Sequence, residues 1–144
     1  MTATLTPSST TPTARQPGTT RTLWKTGAFA GVAAAVATTA VAVAADAADV
    51  SLKVGGESIP VIGFAQLTLI GALVGTILAV VLSHRARRPR RTFVITTVAL
   101  TALSIVPDGF ADAATATKLV LVLTHVVAAA IVIPALASRL RLTR

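Results

Sequence analysis

One histidine, His125, stands inside an otherwise uncharged apolar run at residues 119–137. An ionisable group in such a run is a functional-site hypothesis from the outset, because an unpartnered charge in hydrocarbon is costly. Imidazole can accept a proton or hydrogen-bond a ligand. Gln66 is the one strongly polar side chain of a second apolar run at 61–82. His125 lies seven residues past Lys118, and Gln66 six past Pro60. In helices running the same way, both would sit roughly 10 Å below one surface at ~1.5 Å per residue. Thr38, Thr39 and Thr101 reach a similar level from two further runs, so a polar layer is expected there. One reading is a hydrogen-bond network that fixes packing, worth about 0.6 kcal/mol per bond. The other is a proton-accepting or ligand-binding site opening outward. With no carboxylate expected inside a span beside His125, the packing role is the stronger expectation.

Other chemistry finds little support. The absence of cysteine excludes disulfides, thiol catalysis and thiolate-bound metal. There is no nucleophile–base–acid set, no metal-binding His/Glu spacing and no phosphate-cradling glycine loop followed by lysine. Haem between helices would require paired histidines, and only one lies in a span. No enzyme activity, cofactor or metal is therefore expected. Asp46 with Asp49, and Asp108 with Asp112, read as solvated loop charges rather than a cation site. His84 reads as a solvated surface residue, and Pro134 as a local kink in its helix.

The elements that must position these residues follow from composition. Hydrophobic residues make up 53% of the 144-residue chain, charged ones only 12%, and mean hydropathy is +0.79. Soluble domains carry about 25% charged residues. The deficit falls in long uncharged runs, which predicts an all-α membrane protein, a bundle of four transmembrane helices. The expected spans are 26–45, 61–82, 92–106 and 119–137, within a domain at 23–140. Residues 1–22, rich in Thr, Pro and Ser, read as a disordered tail, and 141–144 as a basic C-terminal end. The third span is short, about 22 Å as a helix, and needs Arg91 to snorkel and Pro107-Asp108-Gly109 to lie at the far surface. Ala42-Val43-Ala44 resembles a signal-peptidase site, but the long apolar run favours an uncleaved helix. Trp24 stands where an interfacial anchor belongs. Between the first two spans, Val50 to Val54 alternates, Gly55-Gly56 follows, and Leu52 is expected to face Ile59 across a small β-hairpin.

Orientation is read from charge. Arg85, Arg87, Arg88, Arg90 and Arg91 cannot sit in hydrocarbon and mark the turn between the middle spans. Together with Arg15, Arg21, Lys25, Arg139, Arg141 and Arg144 they make eleven of the thirteen basic residues. The five acids, Asp46, Asp49, Glu57, Asp108 and Asp112, fall on the other side with Lys53 and Lys118. The positive-inside rule then puts both termini in the cytoplasm of a multi-pass plasma-membrane protein. The formal charge of +8 suits anionic lipid at that face rather than nucleic acid. A membrane-protein partner is left open.

Gly27 with Gly31, and Gly71 with Gly75, match the small-xxx-small pattern, and Gly63 extends the second face. Faces without side-chain bulk let helices approach closely in lipid. Intramolecular packing is the expected use, ahead of a dimer face.

Gly63-Phe64-Ala65-Gln66-Leu67 and the run from Thr124-His125-Val126 through Ile133-Pro134 resemble an actinobacterial family of small four-helix membrane proteins, domain of unknown function 6069. The resemblance covers about residues 22–140. It implies an integral membrane protein and supplies no activity or site residues. The functional expectation is a non-enzymatic structural or accessory membrane component. The alternative is a small transporter or sensor built on the His125–Gln66 layer.

Overall fold

Pro60 and Pro89 stand at the starts of two helices, while Pro107 and Pro134 lie inside helices. The computed structural model describes residues 18–140. These form α1 (Gly18–Ala47), β1 (Lys53–Val54), β2 (Glu57–Ser58), α2 (Val61–Arg85), α3 (Pro89–Phe110) and α4 (Thr115–Ala137). Most of the expected tail, and the basic end at 141–144, lie outside the described residues.

All four helices are long and apolar enough to cross a membrane. The chain is a multi-pass membrane protein with four candidate spans, and its fold is all-α with one tiny hairpin. Each helix outruns its expected span. α1 takes in residues 18–22, which the composition assigned to the tail. Leu23 is fully buried and Thr20 Oγ1 lies 3.3 Å from His84 Nε2, so packing against the rest of the bundle rewards helix at this end.

α3 departs most from the expectation. Pro89 stands at its first turn, where a missing N–H leaves no bond unmade. The helix then continues through Pro107 to Phe110. Its 22 residues span about 33 Å, of which the part after Arg91 supplies about 28 Å, so the helix nearly matches the ~30 Å hydrocarbon core with Arg91 at its edge. Ending a helix inside lipid frees carbonyls that have no water to bond, whereas one proline forfeits a single bond.

α1 packs on α2 and α4, and α3 on α4 and α2. The main core joins Leu23, Ala30 and Ala34 of α1 to Ala72 and Ala79 of α2, Phe93 of α3, and Val132 and Leu136 of α4. A second, smaller core holds Ala42, Ala45, Leu52 and Phe64. It lies under the hairpin.

The end of α1 is closed by Asp49 in a left-handed conformation (φ 58). Val50 N–H bonds the Ala45 carbonyl at 3.0 Å and Asp49 N–H the Asp46 carbonyl at 3.0 Å. This paired pattern satisfies carbonyls that a helix end leaves free. The hairpin pairs Lys53 with Ser58 and Val54 with Glu57. Its turn has Gly55 at φ +58 and Gly56 at φ +81, the two positive angles a tight type I′ turn demands. Ile59 N–H bonds the Leu52 carbonyl at 2.7 Å, as the alternation predicted. Gly55 N–H bonds the Asp112 carbonyl at 2.8 Å, and Thr117 Oγ1 donates to the Ser51 carbonyl. The hairpin thus rests on the α3–α4 connector.

Candidate functional site: the α3–α4 histidine–carboxylate pair

Every fourth or third residue of α3 faces the bundle: Phe93 and Thr97 are buried, Thr101, Ile105 and Asp108 half-buried. The first hydroxyls of this stripe bond within their own helix. Thr97 Oγ1 donates to the Phe93 carbonyl at 2.7 Å, and Thr101 Oγ1 to the Thr97 carbonyl at 2.9 Å. Such back-bonds satisfy a hydroxyl in lipid without reaching a neighbour. Because the helix runs on past Pro107, Asp108 is held on this same stripe instead of entering a loop.

Facing it on α4 is His125. Side chains lean towards the N-terminus of their own helix, and α3 and α4 are antiparallel neighbours. The two side chains therefore lean towards each other. His125 Nδ1 lies 3.3 Å from Asp108 Oδ2. The same nitrogen lies 2.9 Å from the Leu121 carbonyl oxygen, and donates to it when it carries the proton. Thr124 Oγ1 donates to that carbonyl too, at 2.8 Å. The helix's own backbone bond from His125 N–H ends on this oxygen as well, so the carbonyl is shared among several donors and holds the ring close to its own helix. Asp108 Oδ2 is inaccessible to solvent and has no hydrogen bond. The pair is within ion-pair reach, but the Nδ1 donor is aligned with Leu121.

The residues expected to form one polar layer are distributed otherwise. Gln66 is exposed on the outer side of α2. It lies five residues inside the helix start, so its side chain can lean back towards headgroup level. Thr38 is buried in the α1–α2 seam, 2.9 Å from Thr68 Oγ1 and 3.2 Å from the Ala35 carbonyl. Thr39 is half-buried without a side-chain hydrogen bond among the described residues. Thr101 is engaged with its own helix. Of the expected layer, only His125 belongs to this site, and its partner is Asp108. The sequence signal for Asp108 was its spacing of seven from Thr101 and eleven from Thr97. Reading Pro107-Asp108-Gly109 as a turn hid it.

Among the described residues no third His, Cys, Asp or Glu joins the pair. Lys118, two turns before His125 on the same face of α4, donates from Nζ to the Gly109 carbonyl at 3.1 Å. A shallow hollow of about 480 Å³ lies apart from the pair, between the end of α1 and the hairpin, with Asp46, Asp49 and Lys53 at its rim.

The glycines divide by role. A Cβ at Gly27 would fall 2.1 Å from Thr76 Oγ1, and one at Gly31 3.0 Å from Ala72 Cβ, so both seat α1 directly on α2. Gly75 faces Val132 and Leu136 of α4, Gly63 faces Ile59 and Pro60, and Gly71 faces open space. The arginines gather at the opposite end from His125. Arg85 closes α2, Arg87 and Arg88 lie in the turn, and Arg90 and Arg91 open α3, all exposed. Arg21, Lys25 and Arg139 share that end. His84 is exposed as expected, but it meets Thr20 of α1.

No curated protein and no solved structure matches the chain. One family model does, over residues 18–142, and by that match the chain belongs to a family of unknown function, DUF6069.

Proposed function

We propose that this chain is a non-enzymatic accessory component of the plasma membrane, with both termini and the arginine-bearing turn in the cytoplasm. The observation that carries the reading is how the interior is filled. Gly27 and Gly31 set α1 on Thr76 and Ala72, and Leu23, Ala34, Ala79, Phe93 and Leu136 close the core behind them. A bundle filled in this way meets other molecules with its sides and its turns. Those sides are apolar, with Ile70, Leu103 and Phe110 among the exposed residues, and lipid or another membrane helix suits them. The orientation is supported by the partition of charge, basic residues at one end and Asp46, Asp49, Glu57 and Asp112 at the other. Anionic lipid suits the basic end.

The test is purified protein in sealed vesicles, with proton and solute flux followed. The expected result is no flux above that of protein-free vesicles. Flux that scales with protein and disappears in His125→Leu would overturn the reading.

A second reading, a small transporter or sensor, is favoured by one observation, the His125–Asp108 pair. Ionisable residues paired between spans are the usual material of proton relays. In this form the reading rests on Asp108 in place of Gln66.

A further inference from the structure

A lateral groove runs between α1 and α2 on the basic half of the bundle. Gly27, Gly31 and Ala72 form its floor, Trp24, Leu69 and Leu73 its walls, and its volume is about 120 Å³. It is lined almost wholly by apolar groups: Thr76, the one hydroxyl present, is committed to the Ala72 carbonyl at 2.7 Å. From Trp24 to Gly31 is seven residues, about 10 Å along the helix.

The charge at the groove's mouth says what would lie in it. Arg21, Trp24, Ala28 and Gly31 follow one another at spacings of three, four and three, so they share one face of α1. Arg21 therefore stands one turn beyond the groove, at the end of the bundle. On α2, His84 lies eleven residues, three helical turns, past Leu73, on the same face. The contact between Thr20 Oγ1 and His84 Nε2 brings those two helix ends together. Arg21, Lys25 and Arg85 are all exposed around this mouth, and no acid stands among the described residues at that end. Trp24, 43% exposed, is at the boundary between the apolar slot and the cations, the level where indoles anchor.

We propose that this groove is a binding site for one anionic phospholipid, with an acyl chain along Trp24, Ala28, Gly31 and Leu73 and the headgroup phosphate among Arg21, Lys25 and Arg85. A zwitterionic lipid fits the slot equally well, but its headgroup brings a positive charge to a positive mouth. A second copy of the chain would bring a like-charged end against this one. Anionic lipid alone satisfies both halves of the site. The site does not depend on which side of the membrane the basic end faces, nor on the accessory reading, so its failure would leave that reading standing.

The chain has a single tryptophan, and it forms a wall of the groove. Full-length protein in mixed vesicles is titrated with phosphatidylglycerol or phosphatidylcholine carrying brominated chains, and quenching of Trp24 is read at equal mole fraction. The expected result is an apparent preference for the anionic lipid of about fivefold or more, the order one basic residue contributes near an anionic headgroup. Arg21→Gln with Lys25→Gln is expected to abolish the preference with the groove intact. Ala28→Phe, at an exposed position, is expected to abolish it with the charges intact. Equal quenching by the two lipids in the unaltered chain would overturn the proposal. So would a preference that survives Ala28→Phe, since attraction would then need no groove. Protection of Trp24 from both lipids, relieved on dilution into excess lipid, would assign the groove to a second copy and overturn it as well.

Discussion

His125 Nδ1 and Asp108 Oδ2 stand 3.3 Å apart across the α3–α4 contact, yet the carboxylate oxygen is buried without a hydrogen bond. The same imidazole nitrogen lies closer to the Leu121 carbonyl oxygen, at 2.9 Å, and with its proton there it has none directed at the carboxylate. The pair thus brings two helices together by proximity rather than by a directed bond. Removing the imidazole is expected to cost more than neutralising the carboxylate. His125→Leu removes the ring's bond to the Leu121 carbonyl and sets an apolar side chain against the unbonded Asp108 oxygen, a loss of about 1 kcal/mol. Asp108→Asn should shift stability by less than about 1 kcal/mol, because no existing hydrogen bond is broken. Reversible unfolding in mixed micelles checks both, and equal losses would show the two groups to be directly bonded.

The α1–α2 seam gives a sharper contrast. Gly27→Ala places a methyl where Thr76 Oγ1 already is, and overpacking of this kind costs about 1–3 kcal/mol. Adding Thr76→Ala should recover much of that loss. Gly71→Ala, whose methyl meets open space, should change stability by no more than about 0.5 kcal/mol. Unfolding midpoints of the variants in one detergent decide the matter.

Sidedness can be checked cleanly because the chain has no native cysteine. Arg88→Cys is expected to react with a membrane-impermeant maleimide only after cells are opened. Ser58→Cys, exposed beside the hairpin turn, should react in intact cells. Replacing Arg85, Arg87, Arg88, Arg90 and Arg91 by glutamine should give mixed labelling of the second site, since the orientation signal is weakened. Reversed labelling in the unaltered chain would refute the cytoplasmic termini.

The hairpin turn offers a local test. Gly55→Val puts a β-branched residue at φ +58, which costs about 1–2 kcal/mol for an L-residue. The expected readout is faster exchange of the Ile59 amide, with amides in the middle of α2 unchanged. Uniformly faster exchange would mean that the hairpin supports the whole bundle.

Much of this architecture was legible because lipid punishes charge so heavily. Long uncharged runs marked the helices, Arg85 to Arg91 marked the middle turn, and Gly55-Gly56 marked the hairpin. The site was less legible, for two physical reasons. Pro107-Asp108-Gly109 is turn chemistry in water, whereas here the helix runs through it and carries Asp108 onto the bundle-facing stripe. Depth along a helix also says nothing of azimuth. Gln66 and His125 were matched by distance from the helix ends, but Phe64 and Ala72 fix the inner face of α2 and turn Gln66 away.

The bonds from Gly55 to Asp112 and from Thr117 to Ser51 join the α1–α2 turn to the α3–α4 turn. At the other end the two helical pairs are connected by backbone through residues 86–88. The pairs are therefore fastened at both ends, by the chain itself among the arginines and by two exchangeable hydrogen bonds among the acid-bearing turns, and any breathing of one pair against the other starts where the fastening is not covalent.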